Sequence, residues 1–437
     1  MTPGARLQAA IEVLESIEGE GGGAADRAVG AYCRARRFMG SKDRAALRER
    51  VYGLLRRRAR LDWWLLKTGA AEVSTRSRAL ADLMLHDDLD AAGAASLLTD
   101  GAYAPGASAE AETAWLAVLA GQPLDHPDQP PAVAAEWPVW LGRALDRYGV
   151  EEARKLNQPA PVDLRVNSLK GDREAARAAL AAEGLEAVPT PYSPWGLRLP
   201  PPAPVERSAA WTGGLVEVQD ESSQIAALLV DARPEMTVLD FCAGAGGKTL
   251  ALAGTMENRG HLVASDPDVR RLSRMRSRLE RAGVGIVETL APEKLAGREG
   301  GFDRVMTDAP CSGVGTWRRH PESKWRLDLE VLDRYRTTQA KVLDTAAVFV
   351  RPGGRLIYAT CSLLEEENEA QVAAFLKRSE GFSLLPVGAV WVECLPGGTP
   401  IRAENEAEAE TETPTLTLTP GGHGTDGFFA AIMERAG

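Results

Sequence analysis

Cysteine is scarce in this chain: five occur among 437 residues, at positions 33, 242, 311, 361 and 394. No two have the spacing of metal ligands, which argues against a zinc site, and so few argue against a disulfide scaffold. Long apolar runs are also missing. No stretch approaches the ~18 consecutive apolar residues of a membrane span, and the opening Met1-Thr-Pro-Gly-Ala-Arg6 carries no apolar signal core. The expectation is a protein of the reducing cytoplasm with no membrane partner. Positive charge is short overall: the formal net charge is −10, which argues against a nucleic-acid partner only if charge is spread evenly. What is present is ordinary for a soluble globular protein, 44% hydrophobic and 26% charged, with chain enough for roughly two to four domains.

The charge is not spread evenly. Residues 34–60 hold eleven Lys or Arg against Asp43 and Glu49, and residues 270–281 hold six Arg against Glu280. The acids gather elsewhere, Glu404, Glu406, Glu408, Glu410 and Glu412 among them. A basic face on an acidic chain is an electrostatic footprint for phosphates. A solvated helix face with intrahelical pairs is the plainer alternative.

Residues 5–145 are rich in Ala, Leu and Arg, with apolar residues at three- and four-residue spacing: Leu7, Ile11, Leu14; Leu47, Val51, Leu54, Leu55; Leu61, Trp64, Leu65. That period predicts an all-α unit, broken at Gly19–Gly23 and Pro105-Gly106 and followed by a loop at Pro123–Pro131. The texture then changes. Val162–Asn167 alternates like a strand, Asp172–Glu183 reads as a capped helix stopped at Gly184, and 185–216 is Pro- and Gly-rich with strand-like pieces such as Trp195–Leu199. From about 231, strands and helices alternate as in a doubly wound sheet. Strands are expected at Val238–Asp240, His261–Asp266, Phe302–Asp308, Gly354–Cys361 and Gly427–Met433. Helices are expected at Lys248–Met256, 268–282, Leu329–Val350 and Glu365–Lys377, with an acid-rich disordered loop at Asn405–Thr415. The division expected is 1–145 (helical), 146–230 (small α/β module) and 231–437 (catalytic α/β domain).

After the first of those catalytic strands comes a glycine-rich turn, Asp240-Phe-Cys-Ala-Gly-Ala-Gly-Gly-Lys248-Thr249. Backbone N–H groups and a helix N-terminus there can hold a polar ligand. A nucleotide-phosphate loop needs glycine where Cys242 stands, so an NTPase is disfavoured. The glycine spacing is irregular for a dinucleotide, while Asp266 at the end of the next strand could accept from ribose hydroxyls. An adenosyl cofactor without a pyrophosphate, S-adenosylmethionine, fits best.

Two thiols end strands of the same sheet. Cys311 lies in Asp308-Ala-Pro-Cys-Ser-Gly313 and Cys361 in Ala359-Thr-Cys-Ser362. Open α/β sheets bind ligands outside the carboxyl ends of their strands. For Cys33 and Cys394 the expectation is a small buried hydrophobe, which is also the plain alternative for Cys242. A thiol with pKa ~8.5 needs cationic or dipolar help to act as a nucleophile, and Lys248, Arg318, Arg319 and His320 are candidates. A cofactor loop, a carboxyl and two thiols suit methylation of a pyrimidine at carbon 5. That carbon is a poor nucleophile until a thiolate adds at carbon 6, a carboxyl such as Asp308 can serve ring nitrogen 3, and a base must remove the carbon 5 proton. The residues alone do not say which cysteine attacks.

These motifs together make the chain resemble the RNA (cytosine-5) methyltransferases of the Sun (Fmu) kind, most closely the bacterial 16S ribosomal RNA enzymes. Asp308–Gly313 with Thr360-Cys-Ser362 is the most specific part. Leu164–Lys170 and Val218–Gln224 resemble the family's small module, Gly424–Phe429 its final strand, and Asp43-Arg44 with Tyr52–Arg56 its NusB-like RNA-binding domain. The resemblance implies an all-α NusB-like domain, a small α/β module and a Rossmann-like class I methyltransferase domain. By position it makes Cys361 the nucleophile and Cys311 the residue that assists release. Asp308 would sit by the base and cofactor, with Lys248 near the same centre. The loop Cys242, Ala243, Gly244, Ala245, Gly246, Gly247 and Lys248 would wrap the methionine moiety, with Asp266 on the ribose. Gly244-Ala245 replaces the family's usual Ala-Pro, and the strand Gly285–Leu290 runs into Ala291-Pro292-Glu293, so no adenine contact is assigned. The implied partner is RNA, 16S ribosomal RNA or alternatively transfer RNA, bound by a monomer. Its target base would pass the Trp317-Arg-Arg-His320 loop, unless Trp317 is simply packed.

Overall fold

The computed structural model describes all residues except 20, 71, 102 and 396–412. Most of the expected acid-rich insert therefore lies outside the described residues. The chain forms two compact units, Met1–Gln158 with Trp317–Arg326, and Pro159–Thr316 with Leu327–Gly437.

The first unit is helical. Its helices include Pro3–Glu18, Ala25–Ala35, Ser41–Lys67, Thr75–Leu85 and Glu110–Leu119. Each apolar residue named from the sequence periodicity is buried, in one core to which all five of these helices contribute. The boundary expected at 145 falls inside the helical stretch Gly142–Leu156, which is kinked at Gly149. The later segment Trp317–Arg326 also belongs to this unit. Trp317 is fully buried with its ring 5.0 Å from that of Trp137, Trp325 Nε1 donates to Leu55 O (2.9 Å), and Ala25 N donates to Glu322 (3.1 Å).

The second unit contains two sheets. Strands β1 (Val162–Val166), β2 (Val188–Pro189), β3 (Gly196–Leu199) and β4 (Val216–Val218) form an antiparallel sheet in the order β2-β3-β1-β4. Strands β5 (Thr237–Phe241), β6 (His261–Ser265), β7 (Val287–Leu290), β8 (Phe302–Asp308), β9 (Val350–Thr360), β10 (Phe382–Leu385), β11 (Thr415–Leu418) and β12 (Phe428–Arg435) form the large sheet. Its order is β10-β12-β9-β8-β5-β6-β7, with β11 on β12. Strands β5 to β9 are parallel and β12 runs antiparallel to β9. Apolar cores cover both faces, which is why the end of β9, Leu356-Ile-Tyr-Ala359, reads as a continuous apolar run. Four helices in this unit start on aspartate caps: Asp172, Asp220, Asp268 and Asp328 each accept a backbone N–H from the first turn.

Two elements differ from expectation. Helix Leu329–Phe349 passes directly into β9, because Val350 already pairs with Phe302 and Arg351–Gly354 bulge out before pairing resumes at Arg355. The helix expected at Glu365–Lys377 is broken: a single turn, Glu365–Glu367, precedes helix Glu369–Arg378. Glu367 and Asn368 are buried at the break, where their side chains bond inward rather than to solvent.

Candidate active site

In the order of the large sheet the chain leaves β5 on both sides, to β6 and to β8. A crevice opens at such a switch point outside the carboxyl ends. The carboxyl ends of β5, β6, β8 and β9 deliver the glycine turn, Asp266, Asp308 and Cys361 respectively. A cleft of about 420 Å³ there is lined by Phe241, Cys242, Asp266, Asp308, Cys311 and Cys361, among others. Residues far apart in sequence thus share one cavity.

The turn needs its glycines at specific points. Gly244 (φ +57) and Gly246 (φ +83) are left-handed, and a Cβ would stand 2.6 Å from the Arg271 guanidinium or 2.5 Å from the Met275 side chain. Cys242 N and Ala243 N both donate to Ser265 O at 2.9 Å. Gly244 N donates to Asp266 Oδ2 at 2.8 Å, so Asp266 also shapes the loop. The small sheet supports the turn from behind. Arg165, from the Leu164–Lys170 motif, donates to Gly247 O at 2.6 Å and bonds to Gln219 of the Val218–Gln224 motif. Burial draws the Arg165 guanidinium down to about 10. Ala245, Gly247 and the start of helix Gly247–Thr255 complete the wall.

Asp240 is buried and accepts Thr249 Oγ1 at 2.6 Å; burial, and then nearby carboxylates, push its carboxyl up to about 6. Its second oxygen and Ser265 Oγ are buried without a hydrogen-bond partner among the described residues. Buried polar atoms are normally satisfied. A ligand bearing an ammonium and hydroxyls, as S-adenosylmethionine does, would meet them, so the site fits the cofactor.

Lys248 is 9% exposed, and its Nζ lies 2.6 Å from Asp308 Oδ2. Burial draws the ammonium down, but the charge and hydrogen bond of Asp308, with Cys361 and Asp240 behind them, outweigh it and raise the lysine above its ordinary value. Cys311 Sγ and Cys361 Sγ are 3.3 Å apart and both are free thiols. The hydrogen bond to Cys361, then burial, then the charges of Cys361 and Glu367 hold the Cys311 thiol well above the usual range. Burial also pushes Cys242 up, and Cys394 to about 12, which fits two inert thiols.

Of the cations considered for thiol activation, Lys248 interacts electrostatically with Cys361. Arg318, Arg319 and His320 fall in the segment that packs with the helical unit. Trp317 does not line a path for a nucleotide: it is a core residue stacked edge-on against Trp137. Sequence reasoning missed the cleft's far wall, where Thr338, Lys341 and Thr345 project from one helix; their three- and four-residue spacing was the available signal. It also missed the buried Glu367, which sits in an acid run that reads as solvated.

The chain matches the family described as 16S rRNA methyltransferase RsmB/F over residues 227–434, and a ferredoxin-like domain of RsmF/B-like methyltransferases over residues 137–206. The ribosomal RNA small subunit methyltransferase B of Klebsiella pneumoniae is 33% identical over 378 residues, covering 80% of this chain and 85% of that protein. Among solved structures, PH0851 is 26% identical with a TM-score of 0.76, covering 100% of this chain and 99% of its own. A methyltransferase homolog protein from Pyrococcus horikoshii is 27% identical with a TM-score of 0.58, covering 70% and 97%.

Proposed function

The chain belongs to the RsmB/F family of 16S rRNA methyltransferases, enzymes that use S-adenosylmethionine on RNA, and on that premise we propose that it methylates carbon 5 of a cytidine in 16S ribosomal RNA through a covalent cysteine adduct. The observation that carries this reading is the meeting of Cys311 and Cys361 at 3.3 Å in the cleft that Asp308 and the glycine turn share.

Cys361 adds as thiolate to carbon 6 of the base, forming a sulfur–carbon bond and pushing an electron pair toward carbon 5. Asp308 faces ring nitrogen 3, and Lys248 can pass a proton to that nitrogen through its 2.6 Å bond to Asp308. When bound, S-adenosylmethionine supplies the electrophilic methyl group. Cys311 assists release through its 3.3 Å contact with the departing sulfur. The carbon 5 proton passes to the Asp308–Lys248 pair, replacing the one given to nitrogen 3. The electron pair returns to the ring, the Cys361–carbon 6 bond breaks to give back the thiolate, and nitrogen 3 loses its proton to solvent. The turn Cys242–Lys248 holds the methionine moiety, with Asp240 toward its ammonium and Asp266 toward the ribose. The target base leaves its stack to reach Cys361, and the helical unit, NusB-like by resemblance, meets the RNA through Lys42, Arg44 and Arg48, exposed on helix Ser41–Lys67 whose Arg50, Arg57, Arg58 and Arg60 are held in ion pairs.

Bisulfite sequencing of ribosomal and transfer RNA from a deletion strain and its parent tests the reading. Loss of one 5-methylcytidine from 16S ribosomal RNA is expected. Loss from a transfer RNA instead would move the substrate and keep the chemistry; no loss in either would end the reading.

A further inference from the structure

Each cysteine of the pair is followed by a serine, and both serines bond to one buried carboxylate. Glu367 is fully buried. Its Oε1 accepts Ser312 N (2.8 Å) and Gln339 Nε2 (2.9 Å). Its Oε2 accepts Ser362 Oγ at 2.5 Å and also bonds Ser312 Oγ. The two hydroxyls lie 3.2 Å apart. Four donors converge on four acceptor sites, the full capacity of an ionised carboxylate.

The surroundings hold Glu367 itself in place. Tyr358 OH donates to its carbonyl at 2.6 Å. Neighbouring Asn368 accepts Thr360 Oγ1 at 2.6 Å and donates to Ser362 O at 3.0 Å. Gln339 also donates to Pro310 O at 2.9 Å. The break in the helix after Glu367 is what aims both residues inward. A tie made only to hold two turns together could use neutral groups and avoid the cost of burying a charge. A carboxylate here also sets a field at two sulfurs that must behave differently.

We propose that Glu367 is a positioning residue of the methyl-transfer site: through Ser312 and Ser362 it fixes the spacing of Cys311 and Cys361, and its charge biases ionisation toward Cys361. The proposal deepens the covalent-cysteine reading above and rests on it. Charges of opposite sign act on the pair: Lys248 interacts with Cys361, and Glu367 with Cys311.

Full-length Glu367→Gln and Glu367→Ala test this, with S-adenosylmethionine and transcribed 16S ribosomal RNA as substrates. Alkylation of each cysteine by iodoacetamide is followed by mass spectrometry across pH. In Glu367→Ala, kcat should fall about 100-fold with KM for S-adenosylmethionine within about threefold, the signature of misplaced reacting groups. In Glu367→Gln the serine hydroxyls can turn and accept from the amide, so the fold is retained. There kcat should fall about tenfold, and the alkylation midpoint of Cys311 should drop by about one pH unit with that of Cys361 little moved. Should Glu367→Ala fail to fold, Glu367→Gln decides. An unmoved Cys311 midpoint in Glu367→Gln, or kcat within about threefold of wild type in either variant, overturns the proposal. Cys361→Ala is assayed beside them: full methylation by that variant would overturn the covalent reading itself, a result distinct from any alkylation profile.

Discussion

The turn at Cys311 and the turn at Cys361 carry the same Cys-Ser dipeptide at the carboxyl edge of neighbouring strands, and their sulfurs touch at 3.3 Å. Their surroundings are opposite. Lys248 interacts with Cys361, and the Asp308 carboxylate keeps that ammonium charged. The hydrogen bond to its partner thiol, then burial, then the charges of Cys361 and Glu367 hold the Cys311 thiol well above its ordinary value. Two equal thiols are made unequal by where the next charges fall. Those charges come from other elements, the first turn of helix Gly247–Thr255 after β5 and a broken helix after β9.

Exchanging the two cysteines' phenotypes is the sharpest way to break that comparison. Cys361→Ala should lose methyl transfer by at least about 10⁴-fold, and incubation with RNA should leave no covalent complex. Cys311→Ala should slow turnover by about 10³-fold while a protein–RNA adduct accumulates and survives a denaturing gel. If Cys361→Ala trapped the adduct and Cys311→Ala did not, the roles would have to be exchanged.

Removing the cation probes the same asymmetry more gently. Lys248→Met should lower kcat by about 100-fold and shift alkylation of Cys361 to higher pH, measured residue by residue. The raised value of Lys248 gives the sign: the ion pair's contribution is complete below the ordinary lysine value and is lost only above it. An acid limb of activity therefore has another source. Asp240, at about 6, supplies one. As pH falls through that value the carboxylate is neutralised, so S-adenosylmethionine should bind about tenfold more weakly at pH 5 than at pH 7.5 by calorimetry, and Asp240→Asn should flatten the dependence. Folding runs the other way: with its carboxyl raised above the unfolded value, Asp240 favours the folded state at low pH, and that support is lost as pH rises through about 6.

The strand ends and the glycine turn were legible in the sequence because each is local: an apolar run, then a residue type that ends it. Asp308, Cys311, Cys361 and Asp266 follow from that rule and meet in the cleft. Glu367 was not legible. Glu365-Glu366-Glu367 reads as a solvated helix start, and only the tertiary break at Asn368 turns the third acid inward while the first two stay exposed. Trp317 failed for a related reason. An aromatic among cations resembles a nucleotide platform, yet its segment is used to fill the helical unit's core. Local spacing reports what a residue can do; packing decides whether it faces solvent to do it.

A second buried lysine extends the comparison and carries the smallest expected effect on catalysis. Lys324 donates to Glu136 O and Asn157 Oδ1, each at 2.9 Å, in the helical unit. Burial, reinforced by Arg56 and Arg60 against the pull of Glu136, draws it down to about 7, whereas Lys248 goes up. The difference is the partner: Lys248 meets a carboxylate oxygen, Lys324 two neutral carbonyls. With the folded value near 7 and the unfolded value near ~10.4, the unfolded chain holds more protons between them, so stability rises with pH across that window. Thermal melts at pH 7 and pH 9.5 should show the rise in the wild type and its loss in Lys324→Met, while methyl transfer by the folded variant stays within about threefold. A melting curve that moved with pH as much in Lys324→Met as in wild type would assign the dependence to other groups. A large loss of methyl transfer would mean that Lys324, too, serves the reaction.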